Sequence, residues 1–342
     1  MELPEDRGRI SESLFEVLRT YDADVDLSGL EHEAFKVLDS EDILHSEDIQ
    51  IVLFVLYELH YRGFDGIDAR WEWNPPLLGL RAKIEEQFEA RLRQIAGDPS
   101  FSLGSAQDTA RQLFALASAD DGPSVSTYIS RHATVEQARE FLMHKSIYQL
   151  KEADPHSWAI PRLTGRGKSA LMEIQFDEYG AGRPGAMHSE LFETTMRGLG
   201  LNSEFGAYIE SLPAITLASV NMMSFFGLHR RLRGSIAGHL AIYEMTSSIP
   251  NARYARGFRR LGFDSPVTDY FDEHVEADAV HEQIAGRDLA GGLIEQDSSI
   301  AEAVFFGAQA ACAIDALVGA YQLEAWGQGR SSLRQPKVKV EA

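Results

Sequence analysis

A single cysteine, Cys312, stands in the 342-residue chain. This excludes an internal disulfide framework, cysteine-ligated iron–sulfur clusters and cysteine-rich zinc sites, and it fits a reducing compartment. Positive charge is also scarce: 32 Lys and Arg against 52 Asp and Glu leave a formal charge of −20. A chain so acidic does not bind nucleic acid or an anionic membrane through non-specific charge. The acidic start, Met1 to Asp6, has no apolar h-region, so no secretory signal is expected and the expected location is cytoplasmic. Long apolar runs are few. The longest, residues 303–321, contains Gln309 and Asp315 and is expected as a buried core helix rather than a membrane span. No fixed-period repeat and no convincing run of strands is present.

What remains is helical. Hydrophobic residues make up 44 % of the chain, enough for a sizeable core. The length suits two domains. Ile10, Leu14, Val17 and Leu18 mark one amphipathic helix. Two more are expected over residues 46–61 and 77–95, separated by a proline pair, Pro75-Pro76. Glu58 and His60 point to different helix faces and are expected to be structural. Asp98-Pro99-Ser100 is a plausible boundary, which sets off residues 1–100 as an N-terminal helical region. Residues 101–325 then form the main domain, broken at Asp121-Gly122-Pro123, and residues 326–342 are expected as a flexible tail.

The chemistry-bearing residues recur through that main region. His274, Asp278 and His281 stand at i, i+4 and i+7, within an arc of roughly 60° on one helix face. Such a row offers imidazole and carboxylate donors to iron, manganese or zinc; alone, it could equally be a solvated polar face. Glu152 sits in the expected last turn of a helix over residues 134–153, where a carboxylate opposes the helix dipole unless a metal, Lys151 or Arg162 compensates it. Glu178 ends one expected helix and His188 opens the next. The glycine-rich break between them, Gly180-Ala181-Gly182-Arg183-Pro184-Gly185, would let the two converge. Glu244 is the only acid in the expected helix 230–248, and pairs with a metal or with Arg230 or Arg233. His239 is expected in the core or behind the site. Three histidines and four carboxylates on separate helices suit a two-metal carboxylate site in a helical bundle, although paired Glu-x-x-His motifs are lacking.

In these residues the chain resembles the haem-oxygenase-like diiron oxidases and oxygenases, the iron-containing redox enzyme family. The resemblance rests on Glu152, on Glu178 followed ten residues later by His188, on Glu244, and on the row His274, Asp278, His281. It covers about residues 100–325, and Glu244 matches an extra carboxylate of the amine-oxygenating members. The resemblance implies an all-α haem-oxygenase-like bundle without haem, preceded by an auxiliary domain used for homodimerisation. It implies two iron ions cycling between Fe2+ and Fe3+, O2 as co-substrate, and an external electron donor or reductase. The implied metal ligands are Glu152, Glu178, His188, Glu244, His274, Asp278 and His281, with Glu244 also taking part in catalysis. The expected reaction is N-oxygenation of a small amine or amino acid in specialised metabolism, giving hydroxylamine or nitro products. Oxidative C–C cleavage or desaturation of an amino acid or fatty acid is the alternative, and a non-catalytic iron-binding protein a further one.

Overall fold

The computed structural model describes residues 1–119, 122 and 124–335, apart from the side chains of Asp278 and Ala279. Among these residues the chain is all-α and no strand occurs. The helices are α1 (Arg9–Leu18), α2 (Ser28–Ser40), α3 (Glu47–Glu58), α4 (Pro75–Ala96), α5 (Ala106–Ser118), α6 (Val125–Arg131), α7 (Val135–Gln149), α8 (Asp154–Ser157), α9 (Gly165–Glu178) and α10 (His188–Gly198). They continue with α11 (Ala214–Leu228), α12 (Arg233–Arg260), α13 (Asp269–Gln283), a π-helical segment (Ile284–Gly291), α14 (Gly292–Gln296) and α15 (Ala301–Gly327).

The chain divides into two compact units. The first is discontinuous: residues 1–94 are joined by residues 208–225 and by the stretch from Leu333. Its core is α3, apolar enough to be buried on every face from Ile49 to Tyr57. Asn221 of α11 donates to the carbonyl and side-chain oxygens of Gln50 at 2.9 and 2.8 Å. Arg7 reaches the carbonyls of Ile209 and Leu212. These bonds hold the inserted segment, which no local pattern in residues 208–225 announces. The proline pair opens α4 rather than merely ending what precedes it, because the first helical positions need no amide donor. His60 meets Arg81 at 2.5 Å inside this unit, which accounts for its burial without a ligand role.

The second unit spans residues 95–207 and 226–332 and carries every candidate ligand. Its axis is α12, against which α6, α13 and α15 pack. The expected helix 230–248 is longer than its apolar run: α12 continues through Pro250 to Arg260. Glycines let α12 and α15 touch backbone to backbone. A Cβ on Gly238 would overlap the carbonyl of Val304, and one on Gly307 the carbonyl of Ser235. By length and hydropathy the stretch Ser298–Gly327 could cross a membrane, yet here α15 packs along α12 and buries Val304, Phe306, Ala310 and Ile314.

Three expectations are corrected. The helix expected to end at residue 153 ends at Gln149, so Glu152 lies in a turn between α7 and α8. Gly286, Gly291 and Gly292 do not end α13; the chain runs on as a π-helix, in which Gly291 approaches the backbone of Ala106 too closely for a side chain. The expected tail begins inside α15, and Ser332 beyond it is buried and donates to Glu140 at 2.7 Å. Lys337 and Lys339 lie outside the described residues, as do Asp121 and Pro123 of the expected break.

Candidate metal centre

Six of the seven expected ligands come together in two groups. Glu152, Glu178, His188 and His274 form one; Glu178, Glu244 and His281 form the other. Within each group the donor atoms lie within 4.8 Å of one another, and Glu178 belongs to both. Asp278, the seventh, occupies the middle of α13, and its side chain lies outside the described residues.

Each donor is delivered by a local feature of the chain. Glu178 is the last residue of α9 and His188 the first of α10. Between them Gly180 takes φ +69°, and a Cβ there would collide with the backbone of Ala186 and Met187. Glycine therefore permits the tight reversal that brings His188 Nδ1 to 3.0 Å from Glu178 Oε2. Glu152 is followed by Ala153 at φ 73°, a left-handed conformation rare for alanine. Gln175 of α9 holds that kink by donating to the Ala153 carbonyl at 3.0 Å. On α13, His274 and His281 stand two turns apart and serve one group each. Glu244 projects from α12 toward His281, with 3.4 Å between Oε2 and Nδ1.

Supporting bonds orient these donors. His274 Nδ1 lies 2.8 Å from the Tyr270 carbonyl, one turn earlier, and donates to it, which leaves Nε2 toward Glu152 at 3.6 Å. The Tyr270 hydroxyl donates to both oxygens of Glu152, at 3.1 and 3.0 Å. His281 Nε2 meets Asp177 at 3.0 Å. Lys151 and Arg162, the cations considered for Glu152, face elsewhere. Lys151 lies over the Phe205 ring, and Arg162 donates to the carbonyls of Gly227 and Leu228. Glu244 does not pair with an arginine; Arg233 faces Asp297 instead.

The charge states follow from these surroundings. Burial would raise the Glu152 carboxyl, but bonding to His274 and the nearby His188 carry it below the usual range. Burial would lower His188 and His281; Glu178 raises the first, and Glu244 with Asp177 raises the second to about 9. Behind the site His156 and His239 are fully buried, 3.1 Å apart, and desolvation holds His156 at about 4 and His239 well below its ordinary value. His239 is thus a core residue, as expected. His156, Asp177 and Tyr270 were not singled out by sequence. Tyr270 stands one turn before His274 on the same stripe, the one available signal; His156 follows a helix break and carries none.

The donor set fits a pair of divalent metals. Three carboxylates and three imidazoles, with no sulfur donor among them, suit iron, manganese or zinc. His188 Nδ1 is buried and faces Glu178 Oε2 at 3.0 Å off hydrogen-bond alignment, an imidazole and a carboxylate that could both turn lone pairs to one cation. Beside the groups opens a cavity of about 160 Å³, lined by Glu152, Glu178, Glu244 and His274 at one end and by aromatic residues including Phe141, Tyr148 and Tyr254 elsewhere.

Comparison with known proteins agrees with this chemistry. The sequence model of the family described as iron-containing redox enzymes spans residues 139–316, more than half of the chain. A nitrosourea synthase from Streptomyces achromogenes subsp. streptozoticus is 30 % identical over 159 residues, 46 % of this chain and 34 % of that protein. The matched part is thus about a third of the relative's length. With its all-α architecture and its histidine–carboxylate cluster inside the matched residues, the chain belongs to the iron-containing redox enzyme family.

Proposed function

We propose that the chain is an O2-dependent non-haem diiron oxygenase. Its substrate is a small-molecule amine, an amino acid or amino-heterocycle, whose nitrogen is oxidised to the hydroxylamine or nitro level. The observation that carries this reading is the sharing of Glu178 between two donor groups, which would let one carboxylate serve two metals. Family membership supports an oxidoreductase, and the resemblance to a nitrosourea synthase supports nitrogen as the atom oxidised. Bound iron would supply the O2 activation, with electrons from an external donor.

The chain's own residues bind, orient and exclude water. Glu152, Glu178, His188 and His274 would hold one metal, and Glu178, Glu244 and His281 the other. The Tyr270 carbonyl fixes the His274 tautomer and the Tyr270 hydroxyl fixes the Glu152 carboxylate, so these ligands need little reorganisation. Glu244 both belongs to the cluster and lines the cavity, which suits it to accept a hydrogen bond from the amine and turn the nitrogen toward the metals. Phe141, Tyr148, Tyr243 and Tyr254 wall the cavity and keep bulk water from the reacting nitrogen. Use of the N-terminal region for homodimerisation belongs to the same proposal.

The test is anaerobic iron(II) loading followed by O2 exposure and an untargeted search for oxygenated products. Two irons per chain are expected, and Glu178→Ala should bring the count to one or below. Glu244→Ala should keep the fold by circular dichroism and much of the iron, but lower product yield. One iron per wild-type chain, or zinc retained in preference to iron under competition, would overturn the diiron reading. Full product yield from a folded Glu244→Ala protein would remove Glu244 from the chemistry.

A further inference from the structure

The cavity extends well past the donor cluster. From Glu244 its lining follows one face of α12 through Ser247 and Asn251 to Tyr254. Those eleven residues, roughly ten steps, cover about 15 Å of helix at a rise of about 1.5 Å each. Helix α7 runs beside α12 in the opposite direction, since Tyr148 meets Tyr243 with ring centres 6.4 Å apart and Phe141 meets Tyr254 at 4.5 Å. Lys145 lies on α7 between those two contacts and also lines the cavity. It is therefore about level with Ser247 and Asn251, one to two turns, or about 5–10 Å, along the helix from Glu244.

Two polar side chains at that level have no partner among the described residues. Lys145 is half-buried and makes no ion pair or hydrogen bond; Asp315, an exposed acid on the same cavity, is not paired with it. Asn251 is 8 % exposed, and its amide makes no hydrogen bond. Both side chains open on the cavity, where their N–H groups are available to an occupant. Together they present charged and neutral N–H donors, the complement of a carboxylate. Aromatic pairs flank this level on both sides, Tyr148 with Tyr243 toward the cluster and Phe141 with Tyr254 away from it, which suits a hydrocarbon chain alongside.

We propose that Lys145 and Asn251 form a carboxylate-binding subsite. The substrate is then an amine that also bears a carboxylate, with the carboxylate at this pair and the nitrogen at the Glu244 end. Only the placement of the nitrogen rests on the N-oxygenation reading; the subsite stands on the cavity itself.

The test is calorimetric titration of the full chain, both metal-free and anaerobically loaded with iron(II). The probes are ω-aminoalkanoates from 4-aminobutanoate to 8-aminooctanoate, each compared with the alkylamine of equal carbon number. At least one aminoalkanoate should bind tenfold or more tightly than its amine. Lys145→Met should reduce that preference to within twofold and leave amine affinity unchanged, whereas Lys145→Arg should keep most of it. Asn251→Ala should weaken the aminoalkanoate several-fold, which keeps the test open if Lys145→Met misfolds. A series in which no aminoalkanoate outbinds its amine, or a preference unchanged in Lys145→Met, would overturn the subsite. Binding through Lys145 with no oxygenated nitrogen after O2 exposure would sink the oxygenation reading alone. Oxygenated amines with no carboxylate preference would sink the subsite alone.

Discussion

His281 shows the electrostatics of the candidate metal centre. Its two ring nitrogens lie 3.4 Å from Glu244 and 3.0 Å from Asp177, so in the metal-free protein a proton takes the place of the cation. Burial acts to lower this imidazole, but the two carboxylates outweigh it and raise it to about 9. An unfolded histidine titrates near about 6.5. Between those values the folded chain binds a proton that the unfolded chain does not, so the stabilisation is complete below pH about 6.5 and is lost as pH rises through about 9. His188, raised by Glu178, acts in the same direction. The buried His144 and His156, both held at about 4, change charge on unfolding only below pH about 6.5 and leave this alkaline window clear. The urea midpoint of metal-free protein should therefore fall between pH 7 and 9, and fall less in His281→Gln. A flat wild-type profile would show that no imidazolium is held there. The grouping of these candidate residues was legible in sequence because they keep simple relations: His274 and His281 share a helical stripe, and glycines sit where Glu178 must turn back to His188. Tyr270, Asp177 and His156 escaped because each matters through a partner distant in sequence or through burial alone.

At the level of elements, α12 and α15 pack backbone to backbone in the site-bearing unit. The atoms that a Cβ on Gly238 would meet are the carbonyl oxygen, carbonyl carbon and Cα of Val304, all backbone. A flexible side chain could swing aside, but a helix backbone cannot without moving the whole helix. Gly238→Ala should therefore destabilise by about 1–3 kcal/mol, as overpacking does. Gly79, inside α4, has nothing within 4 Å of its would-be Cβ. There the same substitution should stabilise by about 0.5–1 kcal/mol through helix propensity. Opposite signs in paired urea titrations check the argument, and a neutral Gly238→Ala would refute the close approach. Many helices were legible from apolar spacing, and the all-α class with them, whereas α2 and α6 were not anticipated. The ends were not. Pro250 lies within α12 because the surrounding helix overrides a local breaker, and the π-helical segment after α13 has no periodicity that distinguishes it from an α-helix that stops at a glycine. Glu152 was assigned to a helix because its apolar neighbours continue past Gln149, whereas the backbone turns there to bring the carboxylate to the cluster.

At the scale of the whole chain, the N-terminal unit is not a separable appendage. Its core includes residues 208–225, which lie in sequence between α10 and α12 of the unit that carries the metal-binding groups. Leu212, Ile215, Leu217, Ala218, Met222 and Met223 in that segment are all no more than 1 % exposed. Their unit is completed by residues 1–94: Phe88 packs on Phe225 with ring centres 6.0 Å apart, and Asn221 bonds to Gln50. A sequence boundary near residue 100 suggests that truncation there would release an intact metal-binding domain. The discontinuity argues otherwise, because cutting at residue 100 leaves a strongly apolar segment without its partners in the middle of the remaining chain. Exposed apolar surface of that extent favours association over solution. Expression of residues 101–342 should therefore give aggregated protein, whereas the full chain should be recovered in solution, as a homodimer if the proposed role of its N-terminal region holds. Sedimentation and iron binding measured on both forms check this. A soluble, monomeric 101–342 fragment that takes up iron as the full chain does would show that residues 1–94 are dispensable for the fold around the site.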